Sequence, residues 1–244
     1  MSEQPERSDS GAPIWRHQPR NKPFEPAAGD ADAIDRIDAH IRQHVGPVAL
    51  VFHEVVSDLV HIDVHMVEPT AERPYRTLVT SGMSDRPMAA PEGQEAYRFA
   101  ELVLCLPPDW PVTQEAFADE NNYWPVRWLK LLARLPHQYD TWLFWGHTVP
   151  HGDPPTPFAD NTDLCCALLL WPALFDEGFR ALEVSPEKTI HFLSLVPLYR
   201  EETDLKLRAG VETLLERFGG KVTELLDVRR RNFCALGKGK FKRG

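Results

Sequence analysis

The sequence lacks the features that mark secreted, metal-stapled and membrane-spanning proteins. Its 244 residues include four cysteines, and none of them forms a Cys-x-x-Cys pair, which excludes a zinc ribbon. The N-terminal residues contain no apolar stretch of signal-peptide length. The longest apolar run, residues 165–174, is broken by Pro172, so it is a poor candidate for a transmembrane helix. We therefore expect a cytoplasmic protein that does not contact membranes.

Glycine-rich phosphate loops and nucleophile elbows are missing as well. The Gly237-x-Gly239 pair lies near the C-terminus and precedes no helical pattern, so it does not support a phosphate site. Ser81 stands in Thr-Ser-Gly-Met-Ser-Asp, which differs from the Gly-x-Ser-x-Gly elbow of hydrolases. Gly82 instead predicts a turn at the end of a strand. We predict that the protein is not an enzyme.

The charge of the chain is unevenly distributed. The formal net charge is −9, and seven basic residues follow Asp227: Arg229, Arg230, Arg231, Lys238, Lys240, Lys242 and Arg243. Without them (−9 − 7) the rest of the chain carries −16. An acidic body attracts cationic partners and repels nucleic acid. The charge therefore favours a protein partner, although acidity alone also serves solubility.

Apolar residues make up 43% of the chain, and their spacing predicts an α+β fold. Helices are predicted over 34–45, 121–135 (opened by Asn121 or Asn122), 205–218 and 222–228. Strands are predicted over 48–52, 59–67, 75–80, 101–106, 142–148, 164–171 and 190–196. Strict alternation of strands and helices is absent, so we expect a mixed, largely antiparallel β-sheet flanked by helices.

Composition divides the chain into three parts. Residues 1–28 are rich in Pro, Ser, Glu and Gly and lack periodicity, which predicts a disordered N-terminal arm. Residues 29–228 carry the periodic segments and form the predicted domain. Residues 229–244 are predicted to be a basic C-terminal tail that stays in solvent.

His61, Asp63 and His65 are the strongest indication of an enzyme. Alternate spacing places these three side chains on one face of a strand, and two imidazoles with a carboxylate can bind zinc or iron. A polar face on a half-exposed strand explains the same pattern without a metal. We expect no metal and no cofactor, and a metal-dependent hydrolase that uses this trio remains an alternative.

A proline-rich loop follows Trp145 and contains His147, His151 and Asp153. Histidines four residues apart share a face only on a helix, and Pro150 between them disfavours a helix. Loop residues of this kind are typical of a recognition surface. Trp145 is the best candidate for an exposed aromatic contact, because it stands directly before the loop.

Five segments together carry a family resemblance. They are TLVTSGMSDRPM (77–88), ELVLCLPPDW (101–110), RWLKLLARLPHQYDTWL (127–143), GHTVPHGDPPTPF (146–158) and LVPLYREE (195–202). In this order they resemble the bacterial members of the suppressor of fused family, over residues 30–220. The resemblance implies a suppressor-of-fused-like α+β domain that acts as an adaptor or inhibitor and has no established catalytic residues.

The resemblance also implies a class of partner. Bacterial relatives include immunity proteins that neutralise polymorphic toxins, and the animal relative clamps a peptide of a transcription factor. We therefore predict a non-enzymatic protein-binding domain whose partner is a cationic toxin domain or, as an alternative, an extended peptide. The predicted contact residues are Ser81, Met83, Asp85, Trp145, His147, His151 and Asp153.

Overall fold

In the computed structural model, which describes residues 5–18, 20 and 23–235, one large mixed sheet carries the helices. The strands are β1 (Glu6–Arg7), β2 (Pro13–Ile14), β3 (Val48–Phe52), β4 (Asp63–Val67), β5 (Arg76–Ser81), β6 (Ala100–Leu106), β7 (Thr148–Pro150), β8 (Cys166–Leu170), β9 (Ala181–Ser185) and β10 (Lys188–Leu198). The α-helices are α1 (Ala31–His44), α2 (Glu120–Gln138), α3 (Arg200–Ala209) and α4 (Val211–Phe218).

The sheet is mostly antiparallel. Its order is β3-β4-β5-β6-β10-β8-β7, and β9 pairs with the first part of β10. The pairing of β6 with β10 is parallel, and the other pairs are antiparallel. β10 is long enough to pair with β9 near its start and with β8 near its end. The predicted fold class is confirmed.

Both faces of the sheet are covered. Leu102 and Leu104 of β6 pack in the same cluster as Trp124 of α2, whereas Val103 packs on the opposite face with Ile37 of α1. Helices α3 and α4 cover the ends of β8 and β10 on that second face. Because helices cover both faces, every residue of β4 is buried.

Helix α1 follows the sequence closely. Asp30 caps it by accepting hydrogen bonds from the backbone N–H groups of Asp32 and Ala33, which satisfies two of the free donors at a helix start. Ile37 and Ile41 are fully buried on the side that faces the sheet. Helix α2 is also confirmed, but its cap is Asp119 rather than either of the predicted asparagines.

Three predicted elements are wrong: the strand over 142–148, the single helix over 205–218 and the helix over 222–228. Residues 142–148 do not form a strand apart from Thr148, because aromatic packing organises this segment: Trp142 stacks on Phe144 at 5.2 Å. The predicted helix at 205–218 begins earlier and is divided at Gly210 into α3 and α4.

Residues 222–228 contain no helix either. Cys105 donates its N–H to Glu224, and Leu226 donates its N–H to Cys105, so the segment lies extended beside β6. The strand predicted over 59–67 begins only at Asp63, and β9 was not predicted.

The described residues of the N-terminal arm include the β1–β2 hairpin. Ser10 donates its backbone N–H to Leu207 of α3 at 3.0 Å. Arg20 pairs with Asp58 at 2.6 Å. These contacts with distant residues, which no local pattern reveals, hold the arm against the domain.

The first residues of the predicted basic tail contact the domain. Arg230 binds the buried carboxylate of Glu202 at 2.7 Å. Gly237, Gly239 and the four basic residues from Lys238 onward lie outside the described residues. Among the residues that are described, no helix is long and apolar enough to cross a membrane.

Candidate functional site

Among the described strands, three have an unpaired outer edge: β3 and β7, which end the main strand order, and β9, which pairs only with β10. Of the two terminal strands, β3 is the longer. The opposite edge, β7, is three residues long and contains Pro150, which has no N–H to donate to an added strand. An unpaired strand edge is a template for pairing with another chain, so β3 offers the better docking edge.

An apolar groove of about 610 Å³ runs beside this edge. Its lining residues are Ala49, Leu50, Phe52, Met66, Glu68, Val112, Thr113, Gln114 and Phe117. The rings of Phe52 and Phe117 lie 5.2 Å apart, and Leu50 is 43% exposed. A peptide added as a strand would use β3 for main-chain hydrogen bonds and the groove for alternate side chains.

Charged groups near the groove are mostly paired. Glu68 is the charged residue that lines it, and it pairs with Arg76 at 3.2 Å. Glu120, at the start of α2, pairs with Arg127 at 2.6 Å. Lys130 donates to the carbonyl of Phe52 at 2.8 Å, at the end of β3. The groove therefore suits a segment with apolar side chains.

The Ser81–Asp85 turn lies mostly inside the protein. Ser81 and Met83 are fully buried. The backbone N–H and hydroxyl of Ser84 donate to Glu101 Oε1 at 2.9 and 2.7 Å, and Thr80 donates to Oε2 at 2.6 Å. Burial raises the pKa of Glu101 to about 7. Buried side chains cannot touch a partner, so the proposed contact surface omits Ser81 and Met83.

Asp85 connects this turn to α1. Its carboxylate accepts a hydrogen bond from the backbone N–H of Asp30 at 3.2 Å, and burial raises its pKa. The turn also requires Gly82, whose φ is +99° and whose added Cβ would lie 1.8 Å from the carbonyl oxygen of His61. The structure thus gives the turn a packing role.

The proline-rich loop is partly exposed. Trp145, His147 and His151 are half-buried, and Asp153 is exposed. The ring of His147 packs edge-on against Trp142 at 5.1 Å, and burial lowers its pKa to about 4. Asp153 pairs with Arg16 of the N-terminal arm at 2.5 Å. This loop offers a second surface, smaller in apolar content than the groove.

His151 is oriented by backbone atoms of its own loop. Its Nδ1 lies 3.0 Å from the carbonyl oxygen of Thr156 and 2.8 Å from that of Pro157, so this nitrogen donates a proton. The ring also meets Trp128 edge-on at 5.2 Å. These contacts fix the orientation of the His151 ring at the surface.

The predicted His61, Asp63 and His65 trio is not assembled. His61 Nε2 lies 3.1 Å from Asp63 Oδ1, but His65 is buried under α1 and bonds Ser81 Oγ at 2.9 Å. His53 takes the third place, with its Nδ1 2.8 Å from Asp63 Oδ2. Period-two spacing correctly placed residues 63 and 65 on one face. It could not reveal His53, which comes from the preceding loop.

Known proteins show the same architecture. A family model described as "Suppressor of fused protein (SUFU)" matches residues 58–231. A solved SUFU homolog from Neisseria gonorrhoeae FA 1090 is 18% identical, with a TM-score of 0.61, and the match covers 85% of this chain and 100% of that one. Comparison with curated protein sequences gives no match.

Two further solved structures share the fold at 16% identity. A structure described as the Sufu-Fu complex matches with a TM-score of 0.56, over 86% of this chain and 93% of that one. The Suppressor of Fused of Drosophila matches with a TM-score of 0.53, and the match covers 86% of this chain and 52% of the Drosophila chain.

Proposed function

Because this chain belongs to the suppressor of fused family, we propose that it is a non-enzymatic protein-interaction domain that serves as an immunity protein. In this role it binds a toxin domain in the cytoplasm and neutralises it. The observation that carries the proposal is the open β3 edge beside the apolar groove.

The edge and the groove support binding in complementary ways. β3 supplies unpaired backbone donors and acceptors, and these give affinity without regard to side chains. Leu50 and Phe117 supply apolar contact that selects particular side chains of the partner. The net charge of −9 favours the approach of a cationic protein.

The experiment pairs the full chain with the products of neighbouring genes. Each product is expressed with and without this protein, and growth of the host is measured. We expect one product to be toxic alone and harmless when this protein is present. If no neighbouring product is toxic or binds in a pull-down, the immunity role is wrong.

A matched pair of variants tests the surface. Leu50→Lys places a charge in the groove, and Leu131→Lys alters an equally exposed leucine of α2 that does not line it; each side chain is 43% exposed. We expect Leu50→Lys to weaken the complex at least about tenfold and Leu131→Lys to leave it unchanged. Equal effects would remove the groove from the interface.

A regulatory adaptor that clamps an extended peptide is the second candidate, and the open β3 edge favours it as well. Hydrogen exchange separates the two. A bound peptide should protect the amides of β3 and little else, whereas a folded toxin should also cover other surfaces. Trp145, His147, His151 and Asp153 form the surface that we propose for such additional contact, together with Asp85.

A further inference from the structure

Three metal-binding side chains meet where the loop after β3 leads into β4. His53, His61 and Asp63 each direct one donor atom to a common point, and these atoms lie within 4.8 Å of one another. His53 Nδ1 is 2.8 Å from Asp63 Oδ2, and His61 Nε2 is 3.1 Å from Asp63 Oδ1. Two imidazoles and a carboxylate are a ligand set that zinc uses in proteins.

The cluster combines a fixed ligand with an accessible one. The side chain of Asp63 is 4% exposed, and its Oδ1 accepts the backbone N–H of Glu54 at 3.0 Å. The side chain of His53 is 70% exposed. An ion can therefore enter from solvent at His53 and meet a carboxylate that is already oriented.

The hydrogen bonds of His61 supply an independent argument. Ser57 donates its single hydroxyl proton to Glu54 Oε2 at 2.8 Å, and Arg134 pairs with the same carboxylate. Ser57 Oγ also lies 2.7 Å from His61 Nδ1. Because the proton of Ser57 is already used, His61 Nδ1 must be the donor in this second contact.

This assignment leaves Nε2 as the ring nitrogen of His61 that can bind a metal ion. It lies 3.1 Å from Asp63 Oδ1, so both atoms can reach one ion. The Ser57–His61 bond is also the kind of outer contact that fixes the tautomer of a metal-binding histidine.

We propose that His53, His61 and Asp63 bind one zinc ion. Ligand atoms about 2.0–2.2 Å from zinc are about 3.3 Å apart in a tetrahedron, and the three donor atoms, which lie within 4.8 Å of one another, reach this spacing through small side-chain movements. Three protein ligands leave a fourth position open to solvent or to a group of a partner. The proposal does not depend on the immunity role.

The test uses the full chain after removal of metals. Zinc is titrated by calorimetry, and cobalt is titrated as a coloured substitute for zinc. We expect one ion per chain and, for the cobalt form, the visible absorption of a tetrahedral site. Failure to bind zinc at about 1 mM, a very weak affinity, would overturn the proposal.

Variants locate the ion. His53→Ala should weaken zinc binding at least about tenfold, and Ser57→Ala should weaken it about 10- to 100-fold through the orientation of His61. His17→Ala removes an exposed histidine elsewhere and should have no effect. His53 is largely exposed, so its variant should fold normally. Zinc binding that is unchanged in both His53→Ala and Ser57→Ala would contradict the assignment.

Discussion

The two edges of the sheet differ in how they meet solvent. At β7 the edge is short and interrupted by Pro150, and the adjoining loop is tied to the N-terminal arm through Arg16 and Asp153. At β3 the edge is longer and an apolar groove lies beside it. Because an unpaired edge is a template for another strand, these two terminal strands differ in how well they are suited to pair with another chain.

The regions behind these edges also differ in how they hold a buried carboxylate. On the β7 side, Glu202 of α3 is paired with Arg230, which also lies over the ring of Tyr199 at 4.9 Å. On the β3 side, Glu101 accepts hydrogen bonds from the uncharged groups of Thr80 and Ser84. The β7 side thus contains a buried charge pair, and the β3 side contains a buried carboxyl group whose pKa is raised to about 7.

Removal of the cation on the β7 side should have the largest effect. Arg230→Met leaves the buried carboxylate of Glu202 without its partner, which should lower the free energy of unfolding by about 3–5 kcal/mol. Urea unfolding followed by circular dichroism measures this loss. Arg229→Ala, at an exposed position beside it, is the control and should change little. Similar losses in both variants would show that the pair does not stabilise this half.

The turn on the β3 side should respond next. Gly82→Ala forces a Cβ to within 1.8 Å of the His61 carbonyl oxygen at a φ of +99°, and we expect a loss of about 3 kcal/mol. Gly93→Ala is the matched control, because its φ is +82° and no atom lies within 4 Å of the added Cβ. Because both glycines have a positive φ, backbone strain affects both variants, and the difference between their unfolding midpoints measures the effect of the clash. Equal midpoints would contradict this account.

Glu101 should make stability depend on pH. Its pKa is about 7 in the folded protein and near 4.5 when unfolded, so the unfolded chain loses this proton first as pH rises. Stability therefore falls between pH 4.5 and 7, by about 2 kcal/mol between pH 5 and 8. Glu101→Gln should remove this part of the pH dependence in urea unfolding. An unchanged slope in the variant would rule out Glu101 as the source.

The arm on the β7 side should contribute least. Arg16 and Asp153 form a pair with both side chains mostly exposed, and such pairs are worth less than about 1 kcal/mol. Arg16→Ala should leave the unfolding midpoint nearly unchanged while hydrogen exchange at Ser10 becomes faster. If Arg16→Ala instead enables β7 to bind the toxin, then the N-terminal arm blocks the β7 edge in the unaltered protein.

Local patterns predicted the elements that depend on their own residues. The spacing of Ile37 and Ile41 located α1, and the strands predicted over 75–80 and 101–106 correspond to β5 and β6. The strand predicted at 142–148 failed because its apolar residues serve aromatic packing rather than a sheet face. The alternating polar residues of β4 predicted a half-exposed strand. The prediction missed their burial because α1, which covers them, is distant in sequence.

The candidate sites were less predictable than the fold. Asp153 was correctly expected in a loop, but the burial of Ser81 and Met83 follows from distant segments: Ser81 bonds His65, and Met83 packs in the cluster that contains α2. The groove at Leu50 and Phe117 joins segments more than 60 residues apart. His53 joins Asp63 across a loop that has no period of its own.

The amino-acid sequence alone determined the α+β class, the main helices and strands, and the acidic character of the chain, because periodicity, capping and charge are properties of neighbouring residues. Tertiary structure decided which sheet edge stays open, which carboxylate acquires a cation and which histidine reaches Asp63. These outcomes depend on contacts between distant segments, and such contacts form only when the folded chain brings those segments together.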